Sequence, residues 1–528
     1  MMPQDQDERS AFLVGGGIAS MAAAAFLIRD GRMKGHNITI LEESEQIGGS
    51  LDAGGSAENG YIMRGGRMLE SKYVCTFDLF SSIPTLDNRT TVTEETIEWN
   101  KIMKTSSRSR LFRGGNSIDA PAFGLLEKHI LTIERLEIEP ESALGRTSIA
   151  DQFDPSFFKT DFWFMWCTTF AFQPWHSAVE FKRYLVRFTH MVPGFNTLSG
   201  IMRTVYNQYD SMVLPLQRWL EERGVQFKLG TCVIDLDYQH GPAGYSVERI
   251  LCEAHGRPTE INVKSTDVVI VTLGSMTEGS NLGSMDSAPI LNGKTEGGAW
   301  TLWQNIASLQ SDAGYPGNFT ESIQDSKWVS FTTTLHDPLF FDLVRDLTGN
   351  APGEGGLITF PESSWLLSIV LPHQPHFIDQ PSDVTVFWGY GLTVDAPGDF
   401  VQKPMSSCSG REIMTEMMGH LRLASDTANV LEHCVCIPCM MPFITSQFLC
   451  RNPGDRPDVV PRLSKNLAFI GQYCEMPDDV VFTVEYSVRS AQTAVYKLLG
   501  LDRKVPSVFK GNHDLRILKD ALLTLHGK

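Results

Sequence analysis

Two groups of residues in this 528-residue chain are suited to chemistry by type and spacing. The first is the turn Gly15, Gly16, Gly17, which follows the apolar run 11–14 and opens a stretch of small residues, 19–25. Glycine lets a backbone approach a pyrophosphate, and the free N–H groups of a helix start attract its negative charge. A second apolar run, 37–41, ends at Glu42, whose carboxylate can accept hydrogen bonds from ribose hydroxyls. The chemistry is the binding of a dinucleotide, with Ser20 standing where the pattern has a third glycine. The second group is His433, Cys434, Cys436 and Cys439, soft groups of the kind that hold zinc or an iron–sulfur centre. Their segment continues as an apolar run, 440–444, and Cys434 and Cys436 would share one strand face. Buried core thiols are therefore expected rather than a metal site.

These groups need elements to hold them. Residues 11–28 carry no charge, but three central glycines fit strand, turn and helix rather than a membrane span. The leader carries Asp5, Asp7 and Glu8, the opposite of the basic start of a signal peptide. Runs 224–229 and 267–273 read as further buried strands, the second ending at Gly274 and Ser275. Run 466–471 leads into Gly471 and a helix over 484–499 and would return to the first unit, so the nucleotide-binding part is discontinuous. Residues 125–190 show helical spacing and gather Trp163, Trp166, Phe170, Phe172 and Trp175. Residues 290–455 mix apolar strands with Pro and Gly turns and read as a separate, strand-rich unit. A net charge of −17 with no basic block excludes a nucleic-acid partner. Ten scattered cysteines point to reduced thiols and a cytoplasmic setting.

Glycine loops at 46–52 and 60–67 suit a cofactor longer than NAD, and the layout resembles two-domain flavoproteins, in which FAD lies extended across a Rossmann half. The strings at 26–31, 64–67 (Arg-Gly-Gly-Arg), 170–180, 206–209 (Tyr-Asn-Gln-Tyr), 374–377 (Gln-Pro-His-Phe), 441–446 and 483–489 resemble, in order, those of the oleate hydratase family, also called myosin-cross-reactive antigens. The resemblance implies FAD-dependent addition of water across a cis double bond of a long-chain unsaturated fatty acid, oleate to 10-hydroxystearate being the usual example, without net redox. The same fold class hosts flavin-dependent lipid oxidoreductases, and a fatty-acid-binding flavoprotein with little turnover is the other alternative. The implied fold is α/β. A discontinuous FAD-binding Rossmann-like domain takes residues 1–125, 201–290 and 461–500; a helical lid segment takes 126–200, a substrate-binding domain 291–460 and a C-terminal helical tail 501–528.

The resemblance also implies roles. Tyr184 would protonate the alkene, with Lys182, Arg183 and Arg187 easing loss of its proton. The family's water-activating glutamate falls at Met68, which can neither accept a proton nor hold water firmly. Water held by the flavin and backbone groups is the first substitute and Glu70 the second. Gln208 and His376 would anchor the substrate carboxylate, while Val370 and Pro372 occupy positions where relatives carry polar anchors. FAD would contact Gly15, Gly17, Ala19, Ser20, Glu42, Ser50, Gly65, Gly66, Met68, Val233, Ser275 and Gly471. The tail from Leu515 is amphipathic and is expected as a docked helix that could also touch a membrane surface peripherally. A monomer is expected ahead of a homodimer.

Overall fold

The strand Ala11–Val14 is the centre of a five-stranded parallel sheet, ordered Leu467–Ile470, Val268–Thr272, Ala11–Val14, Ile38–Leu41, Gln226–Lys228. Leu13 stands level with Ile270 on one side and Ile40 on the other, all three fully buried, as strands covered on both faces require. The helix Ile18–Arg29 follows the glycine turn and is buried all round from Ile18 to Leu27. Its alanines let it pack closely against Val484–Leu498, the helix after the last strand. The computed structural model describes residues 9–119, 121–242, 244–292 and 298–527; the acidic leader residues Asp5, Asp7 and Glu8 lie outside them.

The run 224–229 does form a strand, but it is not buried. Gln226–Lys228 is the sheet's edge, paired only with Ile38–Leu41, and Gln226 and Lys228 are exposed. The run's apolar residues still face the core, with Val225 buried and Phe227 and Leu229 half-buried against it.

The second large element is an eight-stranded sheet, ordered Asn281–Leu282, Cys434–Met441, Trp328–Leu335, Thr385–Gly391, Leu367–Val370, Leu357–Thr359, Ser109–Arg113, Asn116–Asp119. Its last two strands come from residues 109–119, whereas the sequence alone ran the first nucleotide-binding segment to 125. All eight residues of Trp328–Leu335 are buried. Two of its hydroxyls, Thr334 and Thr332, accept the backbone N–H groups of Tyr61 (2.8 Å) and Met63 (3.1 Å). They fasten the hairpin Ala53–Ser56/Gly60–Met63, and with it the glycine loop that follows, onto this sheet. Cys434, Cys436 and Cys439 are all buried, and burial pushes the Cys434 and Cys439 thiols up to about 11.

Helices Asp161–Phe170 and Ala178–Phe188 bring Trp163, Trp166, Phe170 and Phe172 into one aromatic core, with Trp175 left 40% exposed. The tail helix Leu515–Leu525 docks on this block through Leu518, Ala521, Leu522 and Leu525, with Leu515 in solvent. Among the described residues no helix is long and apolar enough to cross a membrane.

Candidate functional site

The glycine turn and its neighbours border one cavity at the carboxyl ends of the parallel strands. Gly15 has φ +93°, and a Cβ there would come within 3.2 Å of Thr272. A Cβ on Gly16 would meet a Glu42 carboxylate oxygen at 2.9 Å, because the Gly16 N–H donates to that oxygen. The Gly48 N–H donates to the Gly16 carbonyl at 3.0 Å, which lays the second glycine loop on the first. Gly15, Gly17, Ala19, Glu42, Ser50, Val233, Ser275 and Gly471 all line this cavity. Ser20 does not. It is fully buried behind the wall, with its hydroxyl 3.1 Å from Thr272 Oγ1, and it fastens the helix start to the adjacent strand. The cavity is acidic. Burial and the neighbouring Glu43 push the Glu278 carboxyl up to about 8, and burial followed by Glu42 raises Glu43. Crowded carboxyls of this kind suit a sugar's hydroxyls and disfavour an added phosphate beside them.

Asp52 borders both this cradle and a second, apolar cavity. One group of its wall residues is Gly65, Gly66, Met68, Trp328, Trp388 and Phe482. Gly65 is packed so that an added Cβ would sit 3.3 Å from the Trp388 ring. A second group is Trp99, Met103, Arg203, His373 and His376, with the Trp99 and His373 rings 4.7 Å apart. Val370 and Pro372 also line it and offer no side-chain donor.

Arg203 is, with Arg67, one of the two arginines that line this cavity. Burial brings its guanidinium down to about 10, so it stays charged at neutral pH, and among the described residues no carboxylate pairs with it. Asn100 clamps its backbone from both sides, accepting the Arg203 N–H at 3.0 Å and donating to the carbonyl at 2.7 Å. His376 is held down to about 3 by burial and then by Arg203, so its ring is neutral. Its carbonyl accepts the Asn207 N–H at 2.8 Å. That contact fixes Gln208 at the start of a π-helical turn, Tyr209–Val213, a distortion that recurs at functional sites. The Gln208 amide N–H donates to the Arg67 carbonyl at 2.9 Å, and its amide oxygen is buried without a partner.

A smaller cavity adjoins, sharing Gly66, Arg67, Met68 and Phe482 and adding Tyr184 and Glu70. Tyr184 is enclosed by Phe170 (ring centroids 5.0 Å), Phe172 (4.9 Å) and Phe188 (5.4 Å), and its hydroxyl donates to the Val481 carbonyl at 2.6 Å. Burial, then Tyr73, Glu180 and Asp479, hold its pKa well above the ordinary phenol value, with Arg67 pulling the other way. The cations expected to assist it are engaged elsewhere. Lys182 donates to the Leu136 and Glu137 carbonyls, and Arg183 pairs with Glu141 (2.8 Å) and Glu475 (2.9 Å). Arg187 pairs with Glu70 at 2.7 Å. Residues 182 and 183 leave the helix on other faces than Tyr184, which sequence adjacency conceals. Against the upward push of burial, His190, Arg187 and the Lys72 N–H hold the Glu70 carboxyl below its usual range. That is the profile of an anchor for Arg187 rather than a base.

Arg67 and Arg203 are the residues that reasoning from sequence missed. Arg67 was visible as part of the Arg-Gly-Gly-Arg string, but nothing in the chain marked it as the cation facing Tyr184. Arg203 had no signal, because its meaning lies in the absence of an acid beside it after folding.

Comparisons with known proteins bear on the family and the fold. The model of the MCRA family matches residues 8–496. The chain is 38% identical over 538 aligned residues to an oleate hydratase of Streptococcus pyogenes serotype M49 (strain NZ131), covering 100% of this chain and 91% of that protein. It is 33% identical to a linoleate hydratase of Lactiplantibacillus plantarum, covering 93% of this chain and 94% of that one. Among solved structures, cyclohexylamine oxidase from Brevibacterium oxydans IH-35A aligns with a TM-score of 0.52 at 12% identity, over 94% of this chain and 100% of that one. A putrescine oxidase bound to putrescine aligns with a TM-score of 0.52 at 12% identity, over 93% and 99%. At that identity the likeness concerns the fold alone.

Proposed function

The chain belongs to the MCRA family, and on that premise we propose that it is an FAD-dependent hydratase that adds water across a cis double bond of a long-chain unsaturated fatty acid. The observation that carries the reading is the apolar cavity joined at Asp52 to the glycine cradle, with an unpaired arginine in its wall and a proton-bearing phenol beside it.

The cradle residues fit FAD. The backbone of Gly15, Gly17 and Ala19 can meet a diphosphate at a helix start, and Glu42 can meet a ribose. A molecule passing Asp52 reaches Gly65, Gly66 and the Met68 backbone, where a bound flavin would supply a polarised wall without net redox. The remaining chemistry falls to the chain. An alkene is a very weak base, so its protonation needs an acid placed in a dry site. Tyr184 keeps its proton throughout the physiological range, and Arg67 is the cation placed to offset the phenolate left behind. Arg203 supplies the charge that a fatty acid carboxylate needs, and the neutral His376 ring can donate an N–H to it. Glu70 holds Arg187 in place.

The test is to incubate the FAD-loaded protein with oleate and record the product's mass. A gain of one water is expected. A change in hydrogen count alone would establish the flavin-dependent lipid oxidoreductase instead, and tight binding with unchanged oleate would establish a carrier.

A further inference from the structure

We propose that the amide oxygen of Gln208, with the Arg67 guanidinium, holds the water that adds to the double bond; this rests on the hydratase reading for the reaction but not for the binding site itself. Among the described residues lining the apolar cavity, four buried side-chain atoms have no hydrogen-bond partner: Arg67 Nη2, Trp328 Nε1, Trp388 Nε1 and Gln208 Oε1. Three are donors. The Gln208 oxygen is the only acceptor, and a nucleophilic water must donate a hydrogen bond if its lone pair is to be aimed away from the wall. Buried polar atoms of this kind are otherwise satisfied in folded proteins, by water where no protein group reaches.

The orientation of the amide is fixed by geometry. Its N–H donates to the carbonyl of the peptide joining Arg67 to Met68, so a flipped amide would set oxygen against oxygen. The same two segments are clamped next door, where Leu69 and Met202 exchange both backbone hydrogen bonds at 2.9 and 2.8 Å. Gln208 therefore sits on the peptide that leads into Met68, whose thioether cannot hold water. One of its two amide N–H donors is engaged, and its unpartnered atom is the oxygen, which repels a carboxylate, whereas Arg203 supplies a charge for that task. An amide accepts a hydrogen bond without taking the proton. In the balanced step the new C–H bond takes the Tyr184 hydroxyl proton and the new C–O bond takes a water lone pair. The proton lost from the added water restores the phenol, with nothing oxidised or reduced.

The experiment compares the FAD-loaded wild type with Gln208→Leu, Met68→Glu and the double variant on oleate, alongside crystal structures of wild type and Gln208→Leu. Ordered water within hydrogen-bond distance of both Gln208 Oε1 and Arg67 Nη2 is expected in the wild type and not in Gln208→Leu. For Gln208→Leu, kcat should fall roughly 100-fold with KM nearly unchanged. The Met68→Glu/Gln208→Leu double variant should recover much of that loss, because a carboxylate then holds the water. A KM raised about 10-fold or more with kcat retained would make Gln208 a carboxylate anchor and overturn the proposal. Absence of the water in the wild-type crystal would overturn it whatever the turnover, including in a Gln208→Leu protein that folds badly. A wild type that holds the water yet hydrates nothing would sink the hydratase reading while leaving the water site standing.

Discussion

The glycine cradle and the apolar cavity touch at Asp52 but are built by different means. The cradle comes from backbone: a left-handed glycine, a close approach of Glu42 to Gly16, and strand ends that any side chain at Gly15 would obstruct. The cavity comes from side chains drawn from segments as far apart as Gly65, Arg203, His376 and Phe482. A backbone site tolerates few substitutions at its turn, while a side-chain site can lose one group and be served by another, as we propose for Met68 and Gln208.

The sharpest way to break this contrast is at Gly15. Gly15→Val places a branched side chain at φ +93° against Thr272 and should abolish flavin retention and with it all hydration, read as the loss of flavin absorbance from the purified protein. A variant that keeps its flavin would show that the cradle is held by side chains after all. Next in size is Arg203→Met, confined to the cavity. Losing a charge-assisted hydrogen bond of roughly 1.5–3 kcal/mol should raise the KM for oleate about 10- to 100-fold with flavin content unchanged. An unchanged KM would move the carboxylate elsewhere.

The smallest effect opposes the two regions in pH. Glu278 in the cradle titrates at about 8 when folded against 4.5 when free, so its contribution to stability is complete below about 4.5 and is lost as pH rises through 8. His376 in the cavity titrates at about 3 against 6.5 when free, so its contribution is complete above about 6.5 and is lost as pH falls toward 3. Melting temperatures between pH 5 and 9 should therefore show a flatter alkaline limb for Glu278→Gln and a flatter acid limb for His376→Gln. Each slope amounts to at most about 1.4 kcal/mol per pH unit. Identical profiles in both variants would remove the contrast.

The cradle was legible in the sequence because strand, turn, helix and acid follow one another within about thirty residues, and their geometry is local. Even there Ser20 was misplaced, since its hydroxyl turns inward to Thr272, a residue brought alongside only by sheet pairing. The edge position of Gln226–Lys228 was likewise hidden, because an apolar run does not say how many neighbours it will have. In the cavity the identities of Tyr184, Gln208 and His376 came from resemblance, but what surrounds them did not. Lys182 and Arg183 stand beside Tyr184 in the chain and point elsewhere, while Arg67, more than a hundred residues away, faces it.

The sequence by itself determined the parallel sheet and the glycine turn at its carboxyl edge, which follow from residue type and short-range spacing, and the departure at Met68, which follows from the family resemblance. Only the tertiary structure decided which charges meet: that Glu70 is held by Arg187, that no acid among the described residues pairs with Arg203, and that Gln208 donates to the peptide joining Arg67 to Met68 while its oxygen stays unpartnered. Electrostatic and hydrogen-bond roles depend on distance and burial, and the chain fixes neither until it has folded.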